Sequence, residues 1–244
     1  MGVPVQALSM EETLACIERW LTEEARPHLV VTLNPELLMS ARVTPAFWQL
    51  LQTTDLNVPD GIGLVWALRW RGIPAPMRVP GVELFEALCA RAAQRGWRPF
   101  LLGAAPGVAE KAAAVLMARY PGLQIAGCYA GSPAPAEETA IVERIRASGA
   151  DLLFVAYGAP AQELWLGRNL ARTGARLGIG VGGAFNFVAG VTPRAPRWMR
   201  QAGLEWLHRL MVQPWRWRRQ LVLPLFVWLV LTGQDRPRAS GMGA

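Results

Sequence analysis

Between residues 99 and 180 short apolar runs alternate with amphipathic stretches of helical length, and this alternation restricts the fold more than any other feature. Strands are expected at 99–102, 123–126, 152–156 and 176–180, with helices at 107–119, 136–147 and 161–171 between them. A strand followed by a helix and another strand is a βαβ unit, whose strands lie parallel. The part before it fits the same sheet. Ser9-Met-Glu-Glu12 is a capping box that opens a helix running to about residue 24. The run HLVVTL at 28–33 is a buried strand that ends at Asn34-Pro35, where a helix starts. Helices follow at 35–42 and 45–52, then a short strand at 56–58. Pro59-Asp60-Gly61 turns the chain into a helix at 62–71, and another helix covers 81–95. The expected fold class is α/β with a mainly parallel sheet. After Gly190 the pattern changes to helices rich in Arg and Trp, so the chain divides into a core at 1–193 and a helical C-terminal appendage at 194–244.

Charge divides the chain at the same place. The 244 residues carry a net +7, yet residues 1–189 hold 16 basic and 16 acidic side chains, which cancel. Residues 190–244 hold nine arginines against Glu205 and Asp235, together with five of the 11 tryptophans. A hydrophobic fraction of 52% excludes global disorder. Cys16, Cys89 and Cys128 are scattered and form no CxxC pair, which suits a reducing compartment. With only His28 and His208 as histidines, a histidine-based metal cluster is not expected. No basic segment followed by an apolar run opens the chain, so no signal peptide is expected. The longest apolar run, 221–231, is interrupted by Pro224 and is far short of the roughly 20 residues that span a bilayer. The expected location is cytoplasmic, on the inner face of the membrane.

In open parallel sheets ligands bind beyond the carboxyl ends of the strands. Those ends are here Thr32-Leu33-Asn34, Pro59-Asp60-Gly61, Leu102-Gly103, Tyr157-Gly158 and the loop 180–186, mostly glycine and small polar residues. Around Gly103 a strand, a glycine turn and a helix start offer backbone N–H groups to a phosphate, though a plain βα turn has the same sequence. In the 180–186 loop Gly182 and Gly183 allow close approach to the backbone, and the Asn186 amide can read a base edge. Asp60 suits either a helix N-cap or a general base at the mouth of a cleft. Arg78 lies in a loop between Pro76 and Pro80. Gln162 and Glu163 open a helix, where Glu163 complements the helix dipole.

The appendage concentrates cations. Arg209, Arg216 and Arg219 fall within about 80° of one another if one helix runs through them. Trp206, Trp215, Trp217 and Trp228 interleave with the arginines, as in an amphipathic segment lying on a membrane surface. A C-terminal helix packed on the core is the plainer alternative. A nucleic-acid partner is not expected, because no nucleic-acid motif accompanies the charge.

Several ordered motifs together resemble the TagA/WecG/CpsF-type (family twenty-six) bacterial glycosyltransferases of teichoic acid, common antigen and exopolysaccharide synthesis. They are Thr32-x-Asn34-Pro35-Glu36, Pro59-Asp60-Gly61-x-Gly63, Arg78-Val79-x-Gly81, Leu102-Gly103-x-x-Pro106-Gly107, Tyr120-Pro121-Gly122, Gly158-x-Pro160-x-Gln162-Glu163-x-Trp165, Gly180-x-Gly182-Gly183, Arg194-Ala195-Pro196-x-Trp198 and Gly203-Leu204-Glu205-Trp206-x-x-Arg209-Leu210. The resemblance implies a Rossmann-like α/β core and an N-acetylmannosaminyltransferase-like enzyme. It would make an inverting transfer from a UDP-sugar to a polyprenyl-diphosphate-linked N-acetylglucosamine at the membrane.

By the same resemblance Asp60 is the base. Thr32, Asn34, Arg78 and Gln162 line the substrate pocket, and Arg209, Arg216 and Arg219 meet a diphosphate. Gly103, Ser132, Gly182, Gly183 and Asn186 lie on the nucleotide. Arg197, Arg200 and Arg218 then face an anionic membrane surface, and self-association stays open. No cofactor or metal is expected, in keeping with the lack of any Asp-x-Asp pair. The sequence departs from the family pattern at Asn186 (Asp in the family), at Ala161 (Lys) and at Ser132-Pro133 (Tyr-Phe). A membrane-peripheral scaffold with a degenerate core is the rival reading. A different α/β nucleotide enzyme, such as an oxidoreductase, with an unrelated basic tail is a further rival.

Overall fold

A computed structural model of the chain describes residues 2–74, 77–212, 214 and 217–234, except for the side chains of residues 201, 209, 218 and 219. Its strands are β1 (His28–Leu33), β2 (Leu56–Pro59), β3 (Pro99–Gly103), β4 (Gly127–Tyr129), β5 (Leu152–Ala156) and β6 (Leu177–Gly180). Among the described residues they form one six-stranded sheet in the order β2-β1-β6-β5-β3-β4. Every pairing is parallel, so the mainly parallel expectation becomes an all-parallel sheet.

Side chains on neighbouring positions of a strand point to opposite faces, so each strand feeds two cores. Val30, Leu101, Phe154 and Ile179 belong to one core, with α1 (Met10–Glu23), α5 (Gly81–Arg95), α6 (Val108–Arg119) and α9 (Ala184–Val188). Val31, Leu102 and Val155 belong to the other. That face is covered by α2 (Pro35–Val43), α3 (Pro45–Thr53), α4 (Ile62–Trp70), α7 (Pro135–Ser148) and α8 (Ala161–Thr173). The capping box of α1 forms as expected: the Glu12 N–H donates to Ser9 Oγ at 3.2 Å, and the Ser9 N–H donates to Glu12 Oε2 at 2.8 Å.

The fourth strand lies later than its apolar pattern suggests, at 127–129 instead of 123–126. Leu123 is taken up by the core beneath α6, and the first residue of β4 must be small. A Cβ on Gly127 would lie 2.7 Å from the Phe100 ring.

The chain continues through α10 (Arg197–Gln201), α11 (Glu205–Val212), α12 (Trp217–Gln220) and α13 (Val222–Thr232). Gln213, Trp215 and Arg216 lie outside the described residues, as do the side chains of Arg209 and Arg219, so the shared helix face expected of Arg209, Arg216 and Arg219 falls outside them too. Helix α13 packs on α2, with Phe226, Leu229 and Val230 buried in the second core. Its Leu221-side flank and Leu225, Trp228 and Leu231 are exposed. Among the described residues no helix is long and apolar enough to cross a membrane.

Candidate active site

A cleft of about 630 Å³ opens beyond the carboxyl ends of β2, β1, β6 and β5. Thr32, Asn34, Asp60, Arg78, Gln162, Gly182, Gly183 and Asn186 all line it, although they come from five separate stretches of sequence. Gly103 and Ser132, expected on the nucleotide, are not among the lining residues. Gly103 is instead required where β3 passes β5, since a Cβ there would lie 2.8 Å from the Ala156 carbonyl carbon. Ser132 Oγ accepts a hydrogen bond from the Ala134 N–H at 3.2 Å, a local turn contact.

The floor of the cleft follows from how β1 and β2 end. Asn34 caps α2, its Oδ1 accepting from the Leu37 N–H at 3.0 Å. The Asp60 N–H donates to the Leu33 carbonyl at 2.6 Å, which fixes the backbone of Asp60 beside β1. The N-cap position of α4 falls on Gly61, with φ of 104°. Val79 donates its N–H to the Pro59 carbonyl at 2.8 Å and anchors the loop that carries Arg78. Gly81, first in α5, abuts Thr32 so closely that a Cβ would lie 2.8 Å from its Oγ1.

A buried polar pair forms the wall under β6. Gln162 Oε1 accepts from two backbone N–H groups, Gly158 after β5 at 3.1 Å and Gly182 after β6 at 3.0 Å. Its Nε2 donates to Glu163 Oε1 at 2.7 Å. Helix α8 comes this close because β6 presents glycines to it. A Cβ on Gly178 would strike Leu166 and Leu170, and one on Gly180 would lie 2.6 Å from both Gln162 and Glu163. Gln162 and Glu163 are buried, and among the described residues Glu163 Oε2 has no hydrogen-bond partner. Desolvation by burial pushes the Glu163 carboxyl up to about 7. Sequence reasoning gave Glu163 only a dipole role. The available signal was its position between Gln162 and the apolar Leu164-Trp165-Leu166 run, which must face the sheet.

The opposite wall comes from the end of the chain, with Arg194, Glu205, Trp206, His208, Gln220, Phe226 and Val227 lining it. Gly203, between α10 and α11, rests on Ile62 of α4, where a Cβ would lie 2.8 Å from the Ile62 Cβ. Glu83 Oε1 on α5 receives both Arg194 Nη2 at 2.9 Å and Arg200 Nη1 at 3.3 Å. Arg200, expected on the membrane, is therefore half-buried against the core. Gln220 Nε2 donates to the Trp206 carbonyl at 3.0 Å and joins α12 to α11. Arg216 and Trp215 lie outside the described residues, as do the side chains of Arg209, Arg218 and Arg219.

Among the described residues no group of three or more His, Cys, Asp or Glu is placed to hold a metal ion. Arg78 and Arg194 line the cleft, so it offers cationic side chains to an anionic ligand.

The model of the WecG/TagA/CpsF glycosyl transferase family matches residues 1–240. Two curated relatives are both named N-acetylglucosaminyldiphosphoundecaprenol N-acetyl-beta-D-mannosaminyltransferase. The one from Bacillus spizizenii is 34% identical over 215 residues, covering 88% of this chain and 83% of the relative. The one from Bacillus subtilis strain 168 is 29% identical over 230 residues, covering 94% and 89%. With the family pattern running nearly end to end, the chain belongs to the WecG/TagA/CpsF family and is a glycosyltransferase.

Proposed function

We propose that the protein transfers N-acetylmannosamine, or a closely related hexose, from a UDP-sugar to N-acetylglucosamine carried on a polyprenyl diphosphate, with inversion and without a metal ion. The observation that carries this reading is the placing of Asp60 at the end of β2 in the same cleft as Arg78, Arg194 and the Gly180–Gly183 turn. The names of the relatives supply the sugar and the acceptor.

The reaction is a direct displacement. An acceptor hydroxyl oxygen forms a bond to the anomeric carbon as the bond to the UDP oxygen breaks. Asp60 takes the hydroxyl proton, and the electron pair of the broken bond leaves on the diphosphate. Thr32 and Asn34 face the sugar end of the cleft, and Gly182, Gly183 and Asn186 face the nucleotide end. An amide at 186 accepts from a pyrimidine N–H through its oxygen. Arg78 and Arg194, with Arg209, Arg216 and Arg219 from the C-terminal segment, neutralise diphosphate charge, so the missing Asp-x-Asp pair needs no substitute metal.

The exposed Trp198, Trp217, Leu221, Leu225 and Trp228 together with the arginine excess suit a peripheral position on an anionic bilayer, where the lipid acceptor resides. Purified full-length protein given a panel of UDP-sugars and a short-chain N-acetylglucosaminyl diphosphate lipid should yield one product heavier by an N-acetylhexosamine residue and should release UDP, with a chelator present. Absence of product with every donor would overturn the assignment.

A further inference from the structure

We propose that Glu163 is a positioning residue of this enzyme: it fixes the Gln162 amide so that one side chain holds the Gly158 and Gly182 turns in the shape that receives the donor. The proposal rests on the sugar-transfer reading for the word donor, and on geometry for the rest.

A parallel ladder ends at each of these turns, so the N–H groups of Gly158 and Gly182 need an acceptor from elsewhere. Gln162 Oε1 serves both, at 3.1 and 3.0 Å, and thereby ties the end of β5 to the end of β6. That bridge works in only one amide orientation. Flipped, the amide would point N–H at N–H on one side and oxygen at carboxyl oxygen on the other. Glu163 Oε1, 2.7 Å from Nε2, enforces the working orientation from below. The pair cannot be displaced toward the strand, because Gly180 already lies against both side chains and a Cβ there would be 2.6 Å away. Both side chains are buried, so water does not compete for these bonds. Gly182 itself lines the cleft, so loosening the bridge deforms the surface on which the ligand lies. The Gln162 amide oxygen, taken from sequence as a substrate contact, is thus occupied by the protein's own backbone.

The test compares wild type, Glu163→Ala, Gln162→Glu alone and the exchanged pair Gln162→Glu with Glu163→Gln, all in the full chain. The exchanged pair keeps an oxygen against both glycine N–H groups and supplies it with an amide donor from position 163. Two quantities are measured: hydrogen exchange at the Gly158 and Gly182 amides, and transfer kinetics with UDP-N-acetylmannosamine and the short-chain lipid. In Glu163→Ala both amides should exchange about tenfold faster or more, and donor KM should rise by about tenfold with kcat changed less than about threefold. The exchanged pair should restore both quantities to within about threefold of wild type.

Unaltered exchange at the two glycines in folded Glu163→Ala would overturn the proposal, as would an exchanged pair no better than Gln162→Glu alone. Should Glu163→Ala not fold, that second comparison still decides. A wild type silent in the transfer assay would sink the sugar-transfer reading, and the exchange measurement would then judge the clamp alone.

Discussion

The two walls of the cleft are built on different physical terms. The wall at the sheet ends is made of groups whose positions are over-determined. Asp60 is pinned through its N–H to β1, and Gln162 is held at both ends. Thr32 and Gly180 sit against neighbours with no space for another carbon. Among the described residues the wall from the C-terminal segment is joined to the core by separate contacts: Gly203 on Ile62, two guanidiniums on Glu83, the Arg71 guanidinium on the Val230 carbonyl, and the buried edge of α13 on α2. Preorganised groups are what charge development in a transition state requires. Attachment through separate contacts is what a segment that meets a lipid-borne substrate can tolerate. The chemistry should therefore be sensitive to the first wall, and the handling of substrate to the second.

Replacing the carboxylate tests the first half of this contrast most severely. Asp60→Asn should lower kcat by about 10²- to 10⁴-fold, the usual worth of a general base, with the unfolding midpoint nearly unchanged. Turnover close to wild type would remove Asp60 from the chemistry and the contrast with it. The next test asks whether the second wall is separable at all. Phe226 on α13 is only 2% exposed. Phe226→Ala should cost roughly 3–5 kcal/mol in urea unfolding if α13 shares the main core, as its packing on α2 indicates. A loss well below 1 kcal/mol would make α13 a detachable arm.

Glu163 gives a pH test of how dry the first wall is. The carboxyl of the folded protein titrates at about 7, against an ordinary value of 4.5. A raised acid means that the native state holds its proton more tightly than the unfolded chain. The stabilisation is complete below pH 4.5 and is lost as pH rises through 7. Glu163→Gln removes this dependence. Its stability relative to wild type should improve by up to roughly 3 kcal/mol between pH 4.5 and pH 8, read from urea midpoints at each pH. A constant difference across that range would mean that water reaches the carboxyl.

How much of this could be read in the sequence follows the same division. The sheet-end wall was legible because its residues close strands, and strand ends are marked by local signals: HLVVTL stopping at Asn34-Pro35, or Pro59-Asp60-Gly61 before a helix. Parallel topology then carries these ends to one edge. What escaped depended on contacts between distant segments. β4 was misplaced because Leu123 looks like a strand residue until Phe100 demands a glycine beside its ring. Glu163 looked like a dipole partner because nothing local says that β6 will present Gly180 to it. Arg200 reads as a membrane-facing residue because its partner, Glu83, lies 117 positions earlier.

That last contact gives the mildest test and the one aimed most directly at the joint between the walls. Glu83 is 39% exposed at its side chain and is shared by Arg194 and Arg200, which are 19% and 26% exposed. Partly exposed ion pairs are screened by solvent, so Glu83→Gln should cost no more than about 1 kcal/mol of stability. Its effect should appear elsewhere. Without the carboxylate two guanidiniums face each other at the root of the C-terminal wall, and Arg194 lines the cleft. Their repulsion should shift that root and raise KM severalfold at low ionic strength. About 0.5 M salt should return KM most of the way toward wild type, because the Debye length then shrinks to roughly 4 Å. A salt-independent KM would mean that Glu83 holds nothing in place. An equal loss of kcat at every salt concentration would place the joint within the catalytic wall, and the two walls would then have to be treated as one.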